Sequence, residues 1–280
     1  MAKKDVSKAV TKVKPDPNPL IVPEFMSDEE ILGLDLLKQF IVPPFIKVIQ
    51  KSASDELLKD FSAGDVILSP VNAMIAEIPR NNRGKPIEGA RTSFQVVPIL
   101  FYPEYLTWNP IELKGSEPAI RYRTVDPNDP IVVKARNPQL RKEPHPVYPE
   151  FNIRHVEHLN FVVILYDHPL GSEPAILSFS RGEWKSGSKF ASLIKMRKAS
   201  IYACIFDAVV GFRPGQLGDW WGLDMCNPEE GSPWVDKELY EKLKKIHVEF
   251  TEYYKEQRLQ ASYEAITETD EATTKATDDF

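Results

Sequence analysis

Residues 92–108 read TSFQVVPILFYPEYLTW. β-Branched and aromatic residues fill this run, which is the composition of a long strand. Working outward, residues 117–125 (EPAIRYRTV) read as a shorter strand in which Arg121 and Arg123 share a face opposite Tyr122. Residues 158–168 (HLNFVVILYDH) and 173–181 (EPAILSFSR) read as neighbouring strands joined by PLGS, apolar enough to lie centrally. Residues 200–212 (SIYACIFDAVVGF) return to strand, and 218–227 (GDWWGLDMCN) form their hairpin mate across a glycine-containing turn. Many short strands with few long helices between them argue against a doubly wound parallel sheet. They predict a mainly β fold with helices, a closed or nearly closed antiparallel barrel with helical decoration.

The flanks follow the same logic. PPFIKVIQKSA (43–53) is expected as a strand, SDELLKDF (54–61) as a short helix or turn, and GDVILSPVNAMIAEI (64–78) as two short strands around Ser69 and Pro70. NNRGKPIEGA (81–90) is a turn-rich basic loop. SDEEILGLDLLKQF (27–40) starts a helix with Ser27 as cap and Glu30 three positions on. SGSKFASLIKMRKA (186–199) is a helix opened by Ser186 or Ser188. SPWVDKELYEKLKKIHVEFTEYYKEQ (232–257) is the clearest helix, with Ser232 and Pro233 as its start and Leu239, Leu243, Ile246, Phe250 and Tyr253 as a buried stripe. The stretch from Asp126 to Pro149 is crowded with proline and basic residues, lacks either periodicity, and is expected to be one long mobile loop.

At 280 residues, 42% hydrophobic and 27% charged, the chain can bury a real core without disulfide or metal. Cys204 and Cys226 lie in separate apolar stretches and read as buried thiols. The charged, proline-broken start and the lack of a bilayer-length apolar run predict a soluble, cytoplasmic protein. Three parts are expected: a flexible basic arm at 1–26, a folded body at 27–260 and a disordered acidic tail at 261–280. In that tail six acids face Lys275 alone, which accounts for five of the six net negative charges. Basic residues cluster in the body at Arg80, Arg83, Lys85 and Arg91, at Arg121 and Arg123, at Lys134, Arg136, Arg141 and Lys142, and at Lys185, Lys189, Lys195 and Lys198. Basic patches beside a detached acidic end suit a polyanion partner.

Familiar catalytic patterns are absent from the sequence. GEWKSGSKF (182–190) imitates a phosphate loop in the spacing of Gly182 and Gly187, but Ser188 stands where lysine is needed and Phe190 where a hydroxyl should be. His155 and His158 read as surface and strand-edge residues rather than a metal fragment. Asp126 and Asp129 read as turn formers. There is no nucleophile elbow, zinc-protease helix or Rossmann fingerprint. No enzyme activity, cofactor or metal is expected.

Binding remains. Phe101, Tyr102, Tyr105 and Trp108 on the long strand, with Tyr122 and Trp184 elsewhere, are candidates to stack on bases. Arg80, Arg83, Lys85, Arg91, Arg121, Arg123, Lys185, Lys189, Lys195 and Lys198 are candidates for phosphate contact. About half of the strand aromatics are expected to be buried, and alternation does not say which. The chain closes as TETDEATTKATDDF (267–280), which resembles the tail of single-stranded DNA-binding proteins of bacteria and tailed phages. The body, in its order of strands, basic helix, GDWWGLDM hairpin and final helix, is similar to the phage branch over roughly residues 40–260. That resemblance implies an oligonucleotide-binding (OB-like) barrel that holds single-stranded DNA regardless of sequence in the host cytoplasm. It further implies that Asp278, Asp279 and Phe280 dock on replication or recombination partners such as a polymerase, helicase-primase or nuclease. A homo-oligomer is compatible with it. An annealing or recombination protein, and a non-enzymatic virion or assembly protein with a β-barrel, are the alternatives.

Overall fold

The computed structural model describes residues 42–87, 89–171, 173–214 and 219–259. The arm expected at 1–26, the helix expected at 27–40 and the tail expected at 261–280 lie outside the described residues. The run at 92–108 belongs to β4 (Arg91–Trp108), which pairs along most of its length with β7 (Asn152–Tyr166). Before them come β1 (Phe45–Val48), β2 (Val66–Ser69) and β3 (Ala73–Ala76). Between them lie β5 (Ile120–Thr124) and β6 (Lys142–Pro144), and after them β8 (Ala175–Ser180), β9 (Phe206–Arg213) and β10 (Trp220–Cys226). The ten strands form one sheet in the order β10-β9-β4-β7-β8-β1-β2-β3, with β5 beside β4 and β6 beside β7. β1 runs parallel to β8, which makes the sheet mixed rather than antiparallel throughout.

The sheet is not closed, which corrects the expected barrel. It curls until the chain after β1 reaches β10, but side chains rather than strand pairing make the contact. Gln50 Nε2 donates to the Trp221 carbonyl at 2.8 Å, and the Trp221 N–H donates to Gln50 Oε1 at 3.0 Å. One side-chain amide therefore occupies the backbone groups that a closing strand would need at Trp221. Gly64 permits the approach, because a Cβ there would lie 2.9 Å from the Trp221 ring.

Both faces of β4 and β7 are covered, which is why these strands read as continuous apolar runs. Val96, Phe161, Val163 and Leu165 point to one side, where they join the inner faces of most other strands and Phe190 of α3 (Trp184–Met196). The Phe190 ring lies 4.5 Å from Phe161 and 5.1 Å from Phe206. Gly187 lets α3 sit this close, since a Cβ there would come within 2.6 Å of Phe179. Val97, Tyr102, Val162 and Ile164 point to the other side, under Leu243, Phe250 and Tyr253 of α4 (Lys237–Lys255). These sides are called the α3 face and the α4 face below. A β-bulge leaves Ile99 unpaired between Pro98↔Val163 and Leu100↔Val162, so alternation along β4 changes phase there. Its carbonyl accepts from His247 Nδ1 of α4 at 2.7 Å.

The loop expected at 126–149 is ordered. It holds α2 (Pro130–Arg136), with Pro130 at its start and Asp129 as N-cap, accepting from the Ile131 N–H at 2.9 Å. Ile131, Val132 and Ala135 pack on Tyr105, β6 pairs with β7, and His145 is buried. The short α1 (Asp55–Asp60) and the β2–β3 pair stand where the sequence places them. Two helix starts move. α3 begins at Trp184, leaving Ser186 buried and donating to Asp224 Oδ1 at 2.9 Å. α4 begins after Asp236, whose carboxylate accepts from the Leu239 N–H at 2.8 Å, so Ser232 and Pro233 precede it. Cys204 and Cys226 are free thiols. No described helix is long and apolar enough to cross a membrane.

His155 and His158 are buried in β7, not at a surface edge. Three residues apart on a strand, they point to opposite faces and cannot share an ion. Among the described residues no cluster of three or more metal-ligating side chains occurs. His158 lies on the α4 face beside the Trp108 ring, 6.2 Å away, with Nδ1 3.3 Å from Ser178 Oγ. Burial, then the nearby Arg181 and Arg123 charges, push its pKa down to about 3 from an ordinary 6.5. The folded chain therefore holds His158 neutral while the unfolded chain protonates it below about 6.5. Its contribution is whole above that pH and is lost as pH falls from about 6.5 toward 3, at roughly 1.4 kcal/mol per pH unit. Urea unfolding between pH 7 and 4 should show this slope, and His158→Gln should flatten it. An unchanged slope in the variant would assign the acid sensitivity to other groups.

Candidate nucleic-acid interface

Sheet register decides which aromatic side chains meet solvent. After the Ile99 bulge, Phe101, Pro103, Tyr105 and Thr107 lie opposite Phe161, Leu159, Glu157 and His155, on the α3 face. Tyr102, Glu104, Leu106 and Trp108 fall on the α4 face. Tyr102 is buried with α4, its ring 5.5 Å from Tyr254. Trp108 packs with Phe45, Leu106, Val156 and Ile176. Tyr105 is covered by α2. These three expected stacking residues are core, because helices or neighbouring strands cover them.

The other three expected rings are exposed and share the α3 face. Phe101 is 37% exposed and lies 4.9 Å from the Phe161 ring. Tyr122 is 49% exposed and sits opposite Thr107. Its hydroxyl donates to Asp129 Oδ2 at 2.6 Å, fixing the ring against the start of α2. Trp184 is 39% exposed, and its Nε1–H donates to Glu157 Oε2 at 2.9 Å. Because Glu157 lies opposite Tyr105, Trp184 stands between Phe101 and Tyr122 along β4. At about 3.3 Å per residue the row spans roughly 20 Å.

Glu157 is the buried centre of this row. Besides Trp184, its carboxylate accepts from Tyr105 Oη at 3.1 Å and from Arg136 Nε and Nη2 at 3.0 and 2.9 Å. Burial and then the Glu157 charge push the Tyr105 pKa up to about 12, so the phenol stays a donor. Arg136 lies over the Tyr105 ring at 5.4 Å, with its side chain 56% exposed. A buried carboxylate without partners would be costly, and four donors from β4, α2 and α3 satisfy this one. It thereby holds an exposed ring and an exposed cation side by side. Sequence reasoning did not select Glu157 or Arg136. Reading β7 back to Asn152 would have shown Glu157 in step with Leu159 and Phe161, an acid on a buried face that must be paired.

The basic candidates divide. Lys185 and Lys189 are exposed one turn apart on α3, the helix that Trp184 begins. Lys195 and Lys198 are exposed at the far end of that helix. Glu183, the acid among them, accepts from the Leu223 N–H of β10 at 2.8 Å. Arg121 does not share a face with Arg123, contrary to the alternation, which predicted one face for both. A second bulge, between Thr107↔Tyr122 and Trp108↔Ile120, leaves it unpaired and turns it toward Tyr122. Arg123 points to the α4 face, where its Nε donates to buried Glu104 at 2.8 Å. Arg80 likewise forks onto buried Asp65 and reaches Glu77 at 2.6 Å. Both guanidiniums neutralise buried acids, so their charge is already committed within the fold.

Arg83 and Lys85 are exposed on the loop before β4, and Arg91 starts that strand opposite Gly211 of β9. Three residues from inward-facing Phe94, Arg91 lies on the α4 face, roughly 50 Å along β4 from the level of Tyr122. The structure does not bring it to the ring-bearing site. Asp278, Asp279 and Phe280 lie outside the described residues. No curated protein and no solved structure matches the chain. The family described as Pam3 phage gp34-like protein matches residues 18–254, so the chain belongs to this family of phage proteins.

Proposed function

We propose that this phage protein holds unpaired DNA without chemical turnover, on the α3 face of its sheet. The observation that carries the reading is the row of exposed rings, Phe101, Trp184 and Tyr122, with Arg136 beside Trp184 on Glu157 and with Lys185 and Lys189 exposed on α3. Every base offers a flat π surface, so rings on one face suit a single strand of any sequence, while the cations follow its phosphates. A duplex hides its bases and offers such a surface little. In a phage protein, such a surface would serve replication or recombination, where single strands are exposed. The acidic run with Asp278, Asp279 and Phe280 is the element that recruits partner proteins, its acids imitating phosphates and its ring filling an apolar pocket.

A tryptophan-fluorescence titration with oligothymidine and with duplex, at two salt concentrations, tests the reading. Oligothymidine should quench the Trp184 emission, and its affinity should fall with salt as counterions are retaken. Duplex should compete poorly. Saturating oligothymidine that leaves emission and mobility unchanged at low salt would refute single-strand binding.

A further inference from the structure

Beside Tyr122 the α3 face opens into a cleft of about 310 Å³ between β5, α2 and the segment after β6. Tyr122, Pro130, Pro144, Pro146, Ile131 and Ile153 line it, together with the acid Glu143. This volume is at the small end of ligand sites, roughly 300–1,000 Å³, and suits one planar group rather than a length of chain. Two cations, Arg121 and Lys134, line it as well.

The walls are set before any ligand arrives. Asp129 holds the Tyr122 hydroxyl at 2.6 Å with one oxygen and caps α2 with the other. Arg121 Nη1 lies 3.1 Å from Nε2 of buried His145. Lys134 donates to Glu143 at 2.6 Å, Glu143 lies 3.1 Å from His155 Nε2, and His155 Nδ1 lies 2.9 Å from Thr107 Oγ1. A ring fixed in this way loses little freedom on binding, which favours an occupant that stacks.

We propose that the cleft takes in one base of the bound strand, stacked on Tyr122, with the attached phosphate at Arg121. This rests on the single-strand reading and adds to it: two rings support the strand from below, and the third forms the wall of a pocket that a base enters. A small cleft lined by one aromatic ring, three prolines and two isoleucines, with Arg121 beside the ring and Lys134 already paired with Glu143, fits a nucleobase and its phosphate. A bare anion would leave the apolar walls unused.

His155 and His158, on opposite faces of β7, make the test internal. In proton NMR of the whole chain, oligothymidine should shift the His155 ring signals, identified with His155→Gln, and leave those of His158 in place. An abasic deoxyribose-phosphate oligomer of the same length should not shift His155. Irradiation with 5-iododeoxyuridine in the oligomer should attach it to Tyr122. If oligothymidine quenches the tryptophan emission but His155 stays put and cross-links appear only at Phe101 or Trp184, the cleft proposal is wrong and the single-strand reading stands. If oligothymidine produces neither quenching nor shift, both fall.

Discussion

Replacing Arg123 with methionine should lower the unfolding free energy by about 3–5 kcal/mol, the usual cost of removing one partner of a buried ion pair. Glu104 is 2% exposed and accepts from Arg123 and, at 3.1 Å, from Asn160 Nδ2. Without the guanidinium, a carboxylate would remain in the core with too few donors to replace water. Adding Glu104→Gln should recover most of the loss, because a neutral amide can be satisfied by Asn160 and its neighbours. Urea unfolding of the two variants measures both steps. A loss under 1 kcal/mol in the single variant, with no recovery in the double, would mean that the pair is solvated. The same contact separates Arg123 from the arginines that could follow a phosphate, since its charge is already committed to Glu104. In a variant kept folded by Glu104→Gln, the salt dependence of DNA binding should therefore stay unchanged.

Much of the framework was legible in the residue types. β4 and β7 are long apolar runs and β8 is a short one, and β9 and β10 pair as the hairpin the sequence suggests. The stripe Leu243, Phe250 and Tyr253 marks the buried side of α4, with Leu239 and Ile246 partly covered beside it. What was not legible depends on contacts far apart in sequence. The end of the sheet's curl rests on Gln50 meeting Trp221, and no local pattern reports that. α2 is too short to show a period, and it is helical because Tyr105 gives its apolar side something to cover.

The site was half legible for a similar reason. Composition pointed to rings and arginines in the middle of the chain as candidates, but two bulges, at Ile99 and Arg121, each change the phase of alternation. Counting by twos therefore could not show that Arg121 turns toward Tyr122 while Arg123 turns away. Phe101 and Tyr105 share the α3 face, and what separates them is α2, which covers Tyr105 and leaves Phe101 exposed. Tyr102 was indistinguishable from Phe101 until α4 was placed over it.

The largest effect on binding should come from the exposed rings together. Phe101→Leu, Tyr122→Leu and Trp184→Leu keep apolar bulk and remove three flat faces, while leaving the buried Tyr102, Tyr105 and Trp108 untouched. Stacking contributes about 1–3 kcal/mol per base, so losing three platforms should weaken oligothymidine binding by at least about a hundredfold. Replacing Arg83, Lys85 and Arg91 with alanine should reduce affinity far less, because Arg91 is on the α4 face and distant along β4. The decisive measurement is the oligothymidine dissociation constant, by fluorescence anisotropy of a labelled strand, for these two triple variants and the parent chain, with melting temperatures taken alongside. The ring variant should stay folded, melting several degrees lower because Glu157 loses the Trp184 donor, and lose at least about a hundredfold in affinity at a temperature well below its melting point. If it binds as tightly as the parent while the arginine–lysine variant fails, the strand does not run along the α3 face.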